Sequence, residues 1–191
     1  MDTEIIDNNL HELITGIKDN ALYPVEKLDA HERNVPHIAI SIFVFDGQRL
    51  LLQKRAAGKY HSGGLWANTV CSHPRWQETA TDCAQRRLND ELGWQVPLQN
   101  IGEITYEAQV GALFENEQVH CFSGQFDRSI DTDRFNRDEV SDIRWLTIDE
   151  IIKDINCHPN IYTEWFKIYM KQHRELLGLH RNLSSDLVLS D

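Results

Sequence analysis

Between Glu78 and Gly93 the chain reads ETATDCAQRRLNDELG, and this stretch decides what kind of fold surrounds it. Ala80, Cys83, Ala84 and Leu88 recur at helical spacing, which predicts an amphipathic helix over 78–92 with one apolar stripe to bury. Thr79 and Asp82 can form a capping box at its start, and Gly93 can supply the left-handed residue that closes its end. Such a stripe needs a sheet to pack on. Upstream, residues 37–45 read HIAISIFVF, too apolar and β-branched for a surface helix, and Asp46-Gly47 turns the run into a second strand over 48–54. An earlier hairpin is predicted over 11–27 around Lys18-Asp19-Asn20. Residues 54–64 form a basic loop containing glycine, and 65–70 return to extended structure. Downstream, strands are predicted at 104–110, 117–126 and 140–146, with a short helix near 148–155 and a last one over about 162–177. The expected fold class is α+β, a mixed β-sheet with helices packed on its faces.

This fold is expected to fill residues 11–177 as a single domain, leaving 1–10 as a flexible N-terminal segment and 178–191 as a C-terminal tail. A chain of 191 residues with 41% hydrophobic content can bury one sizeable core. A net charge of -11 argues against nucleic acid as a partner, because a phosphate backbone is held by a basic surface; an anionic substrate must be held locally by a few converging cations. No run of about 18 apolar residues suggests a membrane span, and Met1-Asp2-Thr3-Glu4 lacks the basic and apolar parts of a secretory signal. A cytoplasmic monomer is expected. The cysteines, Cys71, Cys83, Cys121 and Cys157, form no CxxC pair and are expected as free thiols.

Ser72, Glu78, Arg86, Arg87, Leu88, Asp90, Glu91 and Gly93 together resemble the Nudix box, G-x5-E-x7-R-E-U-x-E-E-x-G-U with U apolar. Ser72 stands for the first Gly, Arg87 for the first Glu of the R-E pair and Asp90 for the first Glu of the later pair. Residues 87 and 91 share a helical face, so Arg87 sets a fixed positive charge beside Glu91. A diphosphate hydrolase usually gathers several carboxylates around more than one divalent ion. This helix instead suits one magnesium on Glu91 and a phosphate oxygen on Arg87, a diphosphate holder rather than a cleaver. The plainer alternative is a solvated surface helix with an Arg87–Glu91 pair.

Two further segments, Trp66-Ala67-Asn68-Thr69-Val70-Cys71-Ser72-His73-Pro74 and Phe114-Glu115-Asn116-Glu117, resemble the signatures of type I isopentenyl diphosphate isomerase, a family with a Nudix-like fold. The resemblance runs from about residue 11 to residue 175. It implies reversible isomerisation of isopentenyl diphosphate to dimethylallyl diphosphate, in isoprenoid precursor biosynthesis, with Cys71 and Glu117 as acid and base across the alkene. That chemistry adds a proton at one carbon to give a tertiary carbocation and removes one two carbons away, in a site closed to water. The resemblance also implies a divalent metal (manganese, zinc or magnesium) on His31, His37, His73, Glu115 and Glu117, and magnesium with the substrate diphosphate on Glu91. Lys27, Arg55, Lys59 and Arg87 would hold the diphosphate, Trp165 would lie over the alkene, and Tyr106 would hydrogen-bond the carboxylate base. The spacing from His31 to His37 is one residue shorter than in bacterial members of that family, a change that a loop before a strand can absorb. Taken singly, Cys71 is a small core residue and Trp165 and Tyr106 are core aromatics; the neighbouring motifs give them chemistry. Two rival readings remain: a hydrolase built on Glu78, Arg86 and Glu91, which would release phosphate, and an inert metal-stabilised binding module.

Overall fold

The computed structural model describes residues 11–177, so the expectations for 1–10 and 178–191 lie outside the described residues. In chain order the elements are β1 (Leu13–Lys18), β2 (Ala21–Glu26), α1 (Lys27–Glu32), β3 (His37–Asp46), β4 (Arg49–Arg55), β5 (Trp66–Ala67), β6 (Val70–Ser72), α2 (Ala80–Leu92), β7 (Gln99–Val110), β8 (Leu113–Gln125), β9 (Val140–Thr147), α3 (Ile148–Cys157) and α4 (Glu164–Gln172). A short 3₁₀ turn, Pro159–Ile161, joins the last two helices.

The apolar run read as a central strand is the hub of a mixed sheet. β3 pairs in parallel with β8 from His37↔Glu117 to Phe45↔Gln125, and antiparallel with β6 through Ser41↔Cys71. β7 extends the sheet beyond β8, setting Tyr106 opposite Glu117 and Ala108 opposite Glu115. Because side chains alternate across a strand, the same ten residues feed two cores. Ile40, Ile42 and Val44 pack with Cys83, Ala84, Leu88 and Leu92 of α2. Ala39, Phe43 and Phe45 pack with Trp165, Phe166 and Tyr169 of α4 on the other side. The predicted layers, helices on both faces of one mixed sheet, are those observed.

Local chemistry explains the turns. Asp19 and Asn20 both have positive φ, as a tight hairpin of matching twist requires. Thr79 caps α2 by accepting from the Asp82 N–H, but the Asp82 carboxylate takes the Thr79 hydroxyl instead of reaching back to the backbone, so the predicted box is only half made. The full box forms on α3, where Glu150, one methylene longer, reaches the Thr147 N–H. Gly93 closes α2 at φ 70 and donates its N–H to the Asn89 carbonyl.

Several expectations shift: β7 begins at Gln99 and β8 at Leu113, five and four residues before the strands expected at 104–110 and 117–126. α1 was not foreseen: it has six residues and no side-chain cap. The extended segment expected over 65–70 is broken into β5 and β6 by a corner at Asn68 and Thr69. There the Asn68 amide donates to the Ile42 and Val70 carbonyls, and the Thr69 hydroxyl donates to the Leu51 carbonyl. The last helix, Glu164–Gln172, starts two residues later and ends five residues earlier than the expected 162–177, which leaves Trp165 in its first turn.

Candidate active site

The registers above bring chemistry to one end of β3. His37 opens β3 beside Glu117 of β8, His73 follows Cys71 out of β6, and α1 delivers His31. One donor atom from each of His31, His37, His73 and Glu117 lies within 4.8 Å of all the others. The rings are aimed by the backbone: the His31 Nδ1–H donates to the Lys27 carbonyl at 2.8 Å and the His37 Nδ1–H to the Val35 carbonyl at 2.7 Å, which points both Nε2 lone pairs inward. The buried His37 Nε2 and His73 Nδ1 have no hydrogen-bond partner among the described residues. Burial, reinforced by the neighbouring rings, pushes the His31 pKa down to about 2, and burial pushes His73 down to about 4. Three imidazoles and a carboxylate are a donor set for a borderline divalent cation such as zinc or manganese, so the residues fit the expected metal.

Glu115 stands just outside this tight group. The Tyr106 hydroxyl lies 2.8 Å from both Glu115 Oε2 and Glu117 Oε2 and so joins the two carboxylates. Burial and the adjacent Glu117 push the Glu115 carboxyl well above its ordinary value. Burial would raise Glu117 as well, but contacts from His37 and His73 outweigh it and hold that carboxyl below its ordinary value. One phenol proton cannot serve two carboxylates, and a protonated Glu115 leaves it for Glu117. Of the two carboxyls, Glu117 is the more acidic.

Cys71 lies across the cleft on β6. Its thiol donates to Asn68 Oδ1 at 2.9 Å and sits 3.4 Å from Ser41 Oγ, which is in turn 2.9 Å from the Tyr169 hydroxyl. Burial pushes the thiol pKa up, which favours the neutral thiol. The corner at Asn68 thus has a purpose that the motif spacing alone did not reveal: it aims the sulfur.

A cleft connects these groups and is also lined by Lys27, Arg55, Lys59, Arg87, Tyr106 and Trp165. Every residue assigned from the sequence to acid, base or diphosphate therefore faces one cleft, together with Glu91. The Arg55 guanidinium lies 5.3 Å from the Trp165 ring centroid, and the buried Trp165 Nε1 has no partner among the described residues. The box-like helix presents a closed set of ion pairs. Arg87 Nη2 donates to Glu91 Oε1 at 2.8 Å, Gln53 donates to Glu91 Oε2 at 2.9 Å, and Arg86 holds Glu78 at 2.6 and 2.7 Å. The carboxylates on which a hydrolytic metal cluster would rest are committed to guanidinium groups.

Sequence reasoning passed over three lining residues. His61 sets its ring edge-on to Trp165 at 5.7 Å with Nε2 3.5 Å from Glu115; Tyr60 lies under the Lys27 ammonium at 4.8 Å; Glu139 bonds Lys59 at 2.8 Å and Arg87 at 3.2 Å. Burial would raise the Glu139 carboxyl, but Arg87 and Lys59 hold it low. His61 and Tyr60 sit in the basic loop that also carries Lys59, so its composition was the available signal; Glu139 belongs to no motif.

Comparison with known proteins places the chain in a family. The family model for the NUDIX domain matches residues 35–166. A Rhodobacter capsulatus protein named isopentenyl-diphosphate Delta-isomerase is 42% identical over 168 residues, covering 87% of this chain and 95% of that protein. A Ruegeria pomeroyi protein of the same name is 38% identical over 180 residues, covering 93% and 97%. Among solved structures, DR0079 from Deinococcus radiodurans superposes with a TM-score of 0.68 at 12% identity over 85% of this chain and 99% of that one. A NUDIX hydrolase from Nitrosomonas europaea gives 0.58 at 17% over 76% and 90%. At such identities these two structures speak for the fold alone.

Proposed function

The chain belongs to the NUDIX domain family and, within it, to the isopentenyl-diphosphate Delta-isomerases, and from that premise we propose that Cys71 and Glu117 are the pair that interconverts isopentenyl and dimethylallyl diphosphate. The observation that carries the assignment is geometric: the Cys71 thiol, brought by β6, and the Glu117 carboxylate, brought by β8, line one cleft together with the cations suited to a diphosphate.

In the forward direction the Cys71 thiol gives its proton to the terminal alkene carbon, leaving a thiolate and a tertiary carbocation. Glu117 then takes a proton from the carbon on the other side of the cationic centre, and the double bond reforms one position along. Microscopic reversibility exchanges these roles in the return direction. Trp165, in the first turn of α4, offers its π face to the cation, worth about 2 kcal/mol in a dry site. Tyr106 positions the base through its hydroxyl, and the apolar layer around Phe43, Phe166 and Tyr169 keeps water from trapping the cation.

His31, His37, His73 and Glu117, with Glu115 beside them, would hold the divalent metal. A cation there supplies fixed positive charge that orients the carboxylate and holds the histidines together. Zinc or manganese suits these donors, while magnesium suits the diphosphate end at Glu91. Lys27, Arg55, Lys59 and Arg87 supply donors for phosphate oxygens. We read the acidic chain as a cytoplasmic, monomeric enzyme with a small-molecule prenyl diphosphate as its partner and no role for nucleic acid or membrane. No helix among the described residues is long and apolar enough to cross a membrane.

The test is to supply isopentenyl diphosphate and magnesium and follow dimethylallyl diphosphate by NMR. Cys71→Ala should lose roughly 10²–10⁴-fold in turnover while still binding the substrate. Unchanged turnover in that variant, or faster release of phosphate than isomerisation by the wild type, would overturn the assignment.

A further inference from the structure

The cations assigned to the diphosphate already have partners in the structure, and Glu139 is central to that pairing. Its two carboxylate oxygens bind different cations: Oε2 lies 2.8 Å from Lys59 Nζ and Oε1 lies 3.2 Å from Arg87 Nη2. The same Arg87 nitrogen is 2.8 Å from Glu91 Oε1, so the two carboxylates meet on one guanidinium corner. This placement is built by the backbone. The Asn136 N–H donates to the Glu91 carbonyl at 2.8 Å, the Glu139 N–H to the Asn136 carbonyl at 3.0 Å, and the Ala56 N–H to the Glu139 carbonyl at 2.9 Å. The turn bearing Glu139 is thereby fastened both to the end of α2 and to the root of the loop that carries Lys59. Arg87 is only 8% exposed, and its Nε has no hydrogen-bond partner among the described residues, so the guanidinium retains donor capacity.

Two carboxylates at the diphosphate end are electrostatically costly for a bare polyanion and favourable for one that arrives with a divalent cation. Magnesium is characteristically held by one or two carboxylates together with substrate phosphates. We propose that Glu139 is, with Glu91, a carboxylate ligand for the divalent cation that accompanies the diphosphate. On binding, the ion pairs exchange partners: Glu91 and Glu139 turn to the cation, while Arg87 and Lys59 turn to phosphate oxygens. This deepens the reading of the cleft as a diphosphate site and rests on it. The residues pass from one paired state to another, and no charge is left unmatched at either stage.

Calorimetric titration of the full chain with inorganic pyrophosphate, with and without added magnesium, separates the possibilities without relying on turnover. Glu139→Gln should weaken pyrophosphate binding at least about tenfold in magnesium. Without magnesium, binding should be unchanged or tighter, because a like charge has been removed from beside the anion. Weakening by the same factor in both conditions would reduce Glu139 to a prop for Lys59 and Arg87 and overturn the proposal; so would an unchanged affinity in magnesium. Glu139→Asp keeps the charge and gives the same magnesium-specific loss at smaller amplitude, should the Gln variant fail to fold. A wild-type chain that takes no pyrophosphate in either condition would overturn the diphosphate reading itself and this assignment with it.

Discussion

The two ends of the cleft solve the problem of buried charge in opposite ways. At the histidine end, backbone carbonyls take the outer N–H groups of His31 and His37, His37 Nε2 and His73 Nε2 converge on the single Glu117 Oε1 at 3.6 and 3.0 Å, and His73 Nδ1 has no hydrogen-bond partner among the described residues. At the α2 end every carboxylate meets a cation: Glu78 with Arg86, Glu91 with Arg87, Glu139 with Lys59 and Arg87. One end is chemically incomplete without a cation, and the other is complete in itself. The difference teaches that the number of acidic groups does not decide metal affinity; what matters is whether those groups are already satisfied.

The strongest way to break the contrast is Glu117→Gln, which strikes the proposed base and the proposed metal ligand together. Isomerisation should fall by roughly 10²–10⁴-fold, and metal content measured by elemental analysis should fall with it; a variant that keeps its metal and its rate would show the two ends to be alike. Arg87→Ala should then make the α2 end incomplete in its turn. Stranding Glu91 and Glu139 without their shared cation should cost about 3–5 kcal/mol in denaturant unfolding, and added magnesium should recover part of the loss in the variant but not in the wild type. Stripping divalent metal should lower the wild-type melting midpoint by roughly 5–10 °C, corresponding to about 2.7 kcal/mol for metal at a hundred times its Kd. In His37→Ala that shift should nearly vanish, whereas an equal shift in both would place the stabilising metal elsewhere.

The smallest expected effect concerns pH. Burial would raise the Glu78 carboxyl, but the Arg86 hydrogen bonds outweigh it, so its folded pKa lies below the ordinary 4.5. A depressed carboxylate stabilises the fold above its unfolded pKa and loses that contribution as pH falls through its folded value. Glu78→Gln should therefore cost about 1 kcal/mol or less at neutral pH, with the difference from wild type shrinking below pH 4.5. A gap that widens on acidification would contradict the pairing.

How much of this was legible in the sequence follows from how local each feature is. The α2 stripe and its Gly93 end are written within one stretch, and the β3 run and its Asp46-Gly47 turn are equally self-contained. Cys71, His73, Glu115 and Glu117 stand in two short segments whose residue types announce chemistry. Glu139 and Lys59 are 80 positions apart and meet only because β9 returns beside β4. Nothing near Glu139 marks it among thirty acidic residues. α1 escaped because six uncapped residues carry almost no intrinsic signal, and tertiary packing of Ala30 and His31 makes it a helix.

The parallel ladder that pairs His37 with Glu117 also sets where this gene can gain or lose codons. Residues 33–36 only hand the chain from α1 to β3, so a length change there leaves the imidazole on its mark provided His37 still enters the ladder. An insertion between His37 and Ser41 would slide the half of β3 that holds Cys71 against the half that holds Glu117, and turn every later side chain to the opposite core. Length variation among such enzymes should therefore collect before β3 and spare its interior.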